Sequence, residues 1–251
     1  MGELRIKVIN PNTSWDMTRR IEAVAKMYAA RGTEVVAVSP ERGPPIITSR
    51  YDDAISVVGL LEEVKKGVRD GFDGFVVAAF IDTGLYEARE AAEAPVVGIA
   101  EAAMHMACLL GDKFSIVTIS KRMVPIIEGL VRRYGLKEKC ASIRVPEGDI
   151  LAYRSEPGKM RDALARASRM AIEDDMAEVI ILGGGAMAGL DVELEAELGV
   201  PVIDGVVAAV KLVEAVCGYG KKTSKAYSYR WPDRKGFKGH PEILEEWPDE
   251  G

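Results

Sequence analysis

Residues 73–98 read DGFVVAAFIDTGLYEAREAAEAPVVG, and residues 176–204 read MAEVIILGGGAMAGLDVELEAELGVPVID. Each stretch opens with a short β-branched apolar run, continues through a loop and a helical pattern, and closes in a second strand-like run. The second stretch follows the first at a spacing of about 105 positions, and residues 8–12 are echoed by residues 116–120 at a similar spacing. We interpret this internal repeat as two similar βαβ halves. Chance similarity between unrelated βαβ units is the alternative, although order and spacing are kept over three segments.

The rest of the chain alternates strand and helix patterns in the same way. Helical periodicity begins at Ser14 and again over residues 51–68. The strand-like runs are 6–9, 34–38, 74–78, 95–99, 114–118, 142–145, 179–182 and 201–203. Such alternation predicts an α/β fold of two pseudosymmetric Rossmann-like lobes, each with a mostly parallel sheet flanked by helices. We expect residues 1–100 plus 206–251 to form the first lobe and residues 101–205 the second, with the ligand cleft between them.

Composition narrows the class of partner. The 251 residues carry a net charge of −6, which provides neither a basic stripe for nucleic acid nor a polybasic patch for a membrane. Three cysteines without a CxxC pair and two histidines argue against a disulfide framework and a metal site. The sequence contains no signal-peptide pattern and no apolar run of membrane-spanning length, so we expect a cytoplasmic protein whose partner is a small molecule.

Ligands of open α/β sheets bind at the carboxyl ends of the strands. This rule selects four loops, 10–14, 79–84, 118–120 and 183–189. From them we predict a substrate-binding set that consists of Asn12, Thr13, Phe80, Thr118, Gly185 and Met187. The backbone N–H groups near Phe80 and Gly185 are candidate donors to a developing oxyanion. Ordinary turn and helix-entry chemistry is the structural alternative for these loops.

Two sets of residues allow more than one interpretation. Residues 183–188 after a strand, with Asp204 about 20 positions later, fit the dinucleotide-binding fingerprint, but the echo places no such pattern in the first half. The candidate acid or base groups are Tyr51, Asp82, Glu101 and His105. Their structural alternatives are a cap of the helix that follows for Asp82 and a packed or surface position on a helix for His105.

Several segments together resemble the hydantoin and allantoin racemase branch of the Asp/Glu racemase superfamily. These segments are 8–14, 43–44 with 51–52 and 59–62, 82–85, 97–105, 182–183, 201–206 and 223–225. The resemblance covers nearly the whole chain and implies a cofactor-independent isomerase, which is a homo-oligomer in most family members. It also implies a cleft in which two cysteines face the substrate, one removing a proton and the other delivering one from the opposite side.

This sequence departs from that family pattern at both catalytic positions. The family cysteines would fall at Ala79 and Gly184, and Cys108, Cys140 and Cys217 lie elsewhere in the sequence. We therefore expect an enzyme of the hydantoin racemase type that acts on a carbon next to a carbonyl of a small cyclic ureide or carboxylate without the two thiols. The alternatives are a divergent decarboxylase, isomerase or lyase, a non-catalytic small-molecule-binding homologue, and an engineered cysteine knockout.

Overall fold

The computed structural model describes residues 4–148 and 156–233. Residues 1–3, 149–155 and 234–251 lie outside the described residues, and with them His240 and the ends of the predicted first lobe. The strands are β1 (Leu4–Ile9), β2 (Thr33–Val38), β3 (Gly74–Val77), β4 (Val96–Gly98), β5 (Phe114–Val117), β6 (Cys140–Arg144), β7 (Val179–Leu182) and β8 (Val202–Asp204). The described α-helices are α1 (Trp15–Tyr28), α2 (Arg50–Arg69), α3 (Leu85–Ala91), α4 (Ile99–Ala107), α5 (Val124–Arg133), α6 (Pro157–Asp175), α7 (Asp191–Leu198) and α8 (Gly205–Gly218).

The eight strands form two parallel sheets of the same topology. The first sheet has the order β2-β1-β3-β4 and the second the order β6-β5-β7-β8. Val77 pairs with Gly98 in the first sheet, and Leu182 pairs with Asp204 at the matching place in the second. The repeat in the sequence therefore corresponds to a repeat in the structure, which confirms the predicted α/β fold class.

The inner strands β3 and β7 are apolar on both faces because helices cover both sides of each sheet. Every residue of β3 and of β7 is buried, as expected for the middle of a parallel sheet. Helices α4 and α8 pack against each other, and their side chains join a core cluster that includes residues of both sheets. Helix α8 also packs on β3 and β4, so the chain returns to the first sheet after completing the second. The exact lobe boundaries given above stay a prediction.

Two helix starts show how local sequence sets the geometry. Asp204 caps α8, since its carboxylate accepts hydrogen bonds from the N–H groups of Val206 and Val207. Ser14 lies at the N-cap of α1, but its hydroxyl makes no capping bond. The Asn12 side-chain oxygen accepts the Ser14 N–H at 2.9 Å, which fixes the turn that leads into α1. Within the described residues, no helix is long and apolar enough to cross a membrane.

Candidate functional site

A cavity of about 140 Å³ lies between the two sheets at the carboxyl ends of their strands. All four loops selected from the sequence contribute to its wall, as do a loop before α2 and the start of the second lobe's α5. The lining residues are Asn12, Met17, 46–48, 78–81, 118–120, Met123, Ile127 and 183–186. The two lobes come into close contact here, because a Cβ on Gly185 would lie 3.2 Å from the Ala78 carbonyl oxygen.

Asn12 provides a fixed hydrogen-bond donor at one side of the cavity. Its side-chain oxygen accepts from the Ser14 N–H at 2.9 Å and from the Asn10 amide at 3.0 Å. Because a backbone N–H can only donate, this contact sets which end of the Asn12 amide is the oxygen. The Asn12 amide nitrogen therefore faces away from Ser14, and its recorded contact is a weak one to the Met17 sulfur at 3.6 Å. Among the described residues no oxygen accepts from the Asn12 amide nitrogen, so this donor can serve a ligand oxygen.

Backbone donors lie on both sides of the cavity. Within the described part of the chain, the N–H groups of Ala79, Phe80 and Ile81 have no hydrogen-bond partner, and the same holds for Gly185 and Ala186. All five residues belong to the cavity wall. The Thr118 hydroxyl donates to the Gly183 carbonyl at 3.1 Å and so fixes the turn after β7, and substrate contact by Thr118 stays a prediction.

Most of the remaining wall is apolar, and it is assembled from both lobes. Ile46 and Ile47 come from the loop before α2, and Met123 and Ile127 come from the start of α5. The loop is held at its two ends: Thr13 N–H donates to the Pro44 carbonyl at 3.0 Å, and Thr48 N–H donates to Asp52 at 3.0 Å. Its isoleucines are therefore a fixed part of the cavity wall.

Ala79 and Gly184 both belong to the cavity wall, one from each lobe. Gly184 has a φ of 177°, an extended conformation that any residue adopts. A Cβ at this position would meet only the Met187 side-chain carbon Cε, at 3.6 Å, which is an ordinary contact. The backbone of this loop would therefore accept a Cβ at position 184 without strain.

The other residues predicted to bind substrate lie directly behind the wall. The Thr13 hydroxyl donates to the Pro44 carbonyl at 3.4 Å, on the loop that carries Ile46 and Ile47. Met187 is fully buried under Gly184 in a short 3₁₀ turn. Asn12, Phe80, Thr118 and Gly185 belong to the wall itself. Substrate contact by Thr13 and Met187 stays a prediction, and their observed contacts support the wall.

The four candidate acid or base residues all lie outside the lining set. Tyr51 lies on α2 with 75% of its surface exposed. Glu101 forms an ion pair with Arg89 at 2.5 Å, and the exposed His105 ring contacts the Glu101 carbonyl at 2.8 Å. Asp82 is buried, and it follows directly after the wall residue Ile81. The structure thus collects Asp82, Glu101 and His105 around α4, and a direct proton-transfer role for any of the four remains a prediction.

Asp82 is a helix cap, but for a different helix from the one expected. Its two carboxylate oxygens accept the N–H groups of Ala100 at 3.0 Å and Glu101 at 2.8 Å, at the start of α4. The next helix along the chain, α3, starts after Gly84 with no side-chain cap. The reason is the backbone of Asp82, whose φ of 50° is in the left-handed region and turns the loop back. Tyr134 O–H donates a third hydrogen bond to Asp82 at 2.5 Å.

Burial dominates the titration of this carboxyl group. Desolvation raises the pKa of Asp82 to about 6, although hydrogen bonds from Tyr134 and the two backbone N–H groups act in the opposite direction. Burial and the neighbouring carboxylate also raise the pKa of Tyr134, so its hydroxyl keeps its proton. Sequence reasoning did not identify Tyr134, because a tyrosine at the end of a helix carries no local signal for a partner 52 positions away.

The glycine run after β7 has a structural explanation. Residues 185–187 form a 3₁₀ turn, and α7 begins only at Asp191, so the run does not open a helix as the dinucleotide fingerprint requires. The Asp204 carboxylate accepts hydrogen bonds from Gly189 N–H and Val206 N–H, both at 2.7 Å, within the protein. The pattern therefore reflects a turn and a helix cap.

Comparison with known proteins places the whole fold and most of the sequence among racemases. The family model described as "Asp/Glu/Hydantoin racemase" matches residues 6–213. A hydantoin racemase of Pseudomonas sp. (strain NS671) is 45% identical over 236 residues, which cover 94% of this chain and 95% of the relative. The structure of an allantoin racemase from Klebsiella pneumoniae superposes with a TM-score of 0.94 at 43% identity and covers 97% of this chain and 100% of that one. Allantoin racemase from Pseudomonas fluorescens gives a TM-score of 0.90 at 36% identity, over 94% of this chain and 100% of that one.

Proposed function

The chain belongs to the Asp/Glu/hydantoin racemase family, and from that membership we propose that its interlobe cavity binds a hydantoin or related cyclic ureide with an apolar substituent beside a carbonyl. The observation that carries the proposal is a cavity wall that combines two kinds of chemistry. N–H donors without a strong partner among the described residues lie on the loops after β1, β3 and β7, and isoleucine and methionine side chains form much of the rest of the wall.

The donors suit the ring of such a ligand. A hydantoin ring is planar and carries two carbonyl oxygens, each of which accepts hydrogen bonds. The Asn12 amide and the unpartnered N–H groups of Phe80 and Gly185 are donors that need little reorganisation, because hydrogen bonds within the protein already fix their loops. Donors of this kind stabilise negative charge on a carbonyl oxygen and so weaken the neighbouring C–H bond.

The apolar half suits the ring substituent. Ile46 and Ile47 from the first lobe and Met123 from the second would exclude water from an alkyl or aryl group. A polar ureido substituent, as in allantoin, would lose its hydrogen bonds to water at this wall. We therefore propose that apolar 5-substituted hydantoins bind more tightly than allantoin.

Proton transfer is where this chain differs from the mechanism that the family resemblance implies. The resemblance places one acid or base at position 79 and the other at position 184, where this chain has alanine and glycine. Neither side chain carries an exchangeable proton. We propose that the cavity binds the ring and polarises its carbonyl, and that it lacks the side-chain acid–base pair that makes racemisation fast.

Calorimetric titration with 5-benzylhydantoin, with allantoin as the comparison ligand, tests the binding proposal. We expect 5-benzylhydantoin to bind, and we expect Asn12→Ala to weaken that binding about 10-fold because a hydrogen bond to the ring is lost. Tyr51→Phe is the matched control, since it removes an exposed hydroxyl outside the lining set. Absence of binding to the unmodified protein, or equal loss in both variants, would contradict the proposal.

A further inference from the structure

Asp82 makes more hydrogen bonds than any role as a simple helix cap requires. Its carboxylate accepts from Ala100 N–H, Glu101 N–H and Tyr134 O–H at distances of 3.0, 2.8 and 2.5 Å. It is 6% exposed, so these bonds are shielded from water. Charge-assisted hydrogen bonds of this kind are stronger than neutral ones, particularly where the local dielectric constant is low.

The main chain of Asp82 is tied to the cavity wall. Its N–H donates to the Ala79 carbonyl at 2.9 Å, which closes a tight turn over residues 79–82. This turn holds Phe80 and Ile81 in the cavity wall and leaves their N–H groups without a partner in the described residues. The position of the turn therefore determines where these donors lie.

Tyr134 connects the same carboxylate to the second lobe. It follows directly after α5, whose Ile127, together with Met123 just before the helix, forms part of the apolar wall. One hydrogen bond thus joins the loop that carries the first lobe's donors to the helix that carries the second lobe's apolar wall. Tyr134 OH is the only donor to Asp82 from α5 or its ends among the described contacts.

We propose that Asp82 is a positioning residue, which through Tyr134 fixes the donor loop 79–81 relative to the apolar wall of the second lobe and so sets ligand affinity. This inference rests on the proposed function for its effect on binding. The effect of Asp82 on the position of the loop 79–81 does not depend on any ligand.

Two variants test the connection with little change in shape. Tyr134→Phe removes one hydroxyl and keeps the ring, and Asp82→Asn keeps a side chain that tolerates a positive φ. We expect both variants to bind 5-benzylhydantoin about 10-fold more weakly than the unmodified protein. We also expect faster amide hydrogen exchange over residues 79–84 in both, measured by mass spectrometry without ligand.

The pH profile of binding separates positioning from a general loss of stability. The groups facing Asp82 are Tyr134 from the end of α5 and Glu101 from α4, and Glu101 is itself paired with Arg89. Since the pKa of Asp82 is about 6, the unmodified protein should bind more weakly as the carboxylate is protonated below that pH. In Asp82→Asn this pH dependence should disappear, because the amide does not titrate.

Asp73→Asn is the matched control. Asp73 also accepts a backbone N–H, from Arg5 at 2.8 Å, but it lies at the amino end of the first sheet. We expect this variant to bind and exchange as the unmodified protein does. If the unmodified protein binds no hydantoin, the proposed function fails, and the exchange rates alone then decide the inference. Unchanged exchange in Tyr134→Phe and Asp82→Asn, or an equal increase in Asp73→Asn, would overturn it.

Discussion

The carboxylate of Asp82 occupies the space into which a side chain on Gly98 would project, since a Cβ on Gly98 would overlap Asp82 Oδ1. Gly98 is the N-cap of α4. The corresponding residue of the second lobe is Asp204, the N-cap of α8, which pairs with Leu182 as Gly98 pairs with Val77. Both lobes therefore place a carboxylate at the same helix start, from the cap residue itself in one and from the neighbouring loop in the other.

The two capping carboxylates also both connect a loop at the cavity to the helix that they cap. Asp204 accepts the Gly189 N–H from the loop after β7, and Asp82 is itself part of the loop after β3. In the first lobe the Asp82 carboxylate thus joins the loop after β3 to the helix that follows β4. In the second lobe the Asp204 carboxylate joins the loop after β7 to the helix that follows β8. The backbone conformations agree as well, with φ near −85° at both N-caps.

The correspondence between Asp82 and Asp204 predicts that the capping carboxylate of α4 can be moved from position 82 to position 98. Asp82→Gly should destabilise the fold by about 1–2 kcal/mol through loss of the α4 cap, because glycine otherwise suits the left-handed φ of 50°. The double variant Asp82→Gly with Gly98→Asp should recover most of that loss. Urea unfolding of the three proteins measures both effects. A double variant less stable than Asp82→Gly alone would show that the two caps are not equivalent.

The raised pKa of Asp82 predicts a pH dependence of stability with a definite sign. The folded-state pKa is about 6, above the unfolded value of about 4. Between these values the folded protein binds more protons than the unfolded chain, so this group's contribution to stability is present at low pH and is lost as pH rises. The slope is at most about 1.4 kcal/mol per pH unit.

The difference in unfolding free energy between the unmodified protein and Asp82→Asn isolates this contribution from other groups. Measured across about pH 4 to pH 6.5, the unmodified protein should lose stability relative to the variant as pH rises. A difference that stays constant or changes in the opposite direction would mean that the Asp82 pKa is not raised.

The apolar wall predicts a specific change in ligand preference. Ile47→Ala should weaken binding of 5-benzylhydantoin about 10-fold, since apolar area at the substituent is lost, and should leave binding of unsubstituted hydantoin nearly unchanged. Ile55→Ala, an isoleucine on α2 with 47% of its surface exposed, is the control. Equal loss for both ligands would place the substituent elsewhere in the cavity.

Much of this site could be predicted from the sequence because its main parts follow local rules. The strand runs were found within one or two residues, and the carboxyl ends of parallel strands selected four loops that all reach the cavity. The family interpretation is confirmed by the racemase model that matches residues 6–213. The Asp204 cap is also visible in the sequence, because its donors lie two and three residues away.

The parts that were missed depend on distant contacts. Ile46 and Ile47 lie in a loop without periodicity, and their place in the wall follows from hydrogen bonds of Thr13 and Asp52 to that loop. Asp82 was expected to cap the next helix, but a positive φ and the absence of a side chain on Gly98 direct it to α4. Neither the positive φ of Asp82 nor its contact with Gly98 can be seen in a single sequence.

The most direct test of the central claim is deuterium exchange at the ring carbon of 5-benzylhydantoin, followed by proton NMR in D2O. The proteins to compare are the unmodified chain, Ala79→Cys, Gly184→Cys and the double variant. The backbone at position 184 accommodates a Cβ, and general acid–base catalysis contributes roughly 10²–10⁴-fold. We expect the double variant to exchange the proton faster than the unmodified protein by about that factor. Exchange by the unmodified chain as fast as by the double variant would contradict the claim and would mean that another group of this protein transfers the proton.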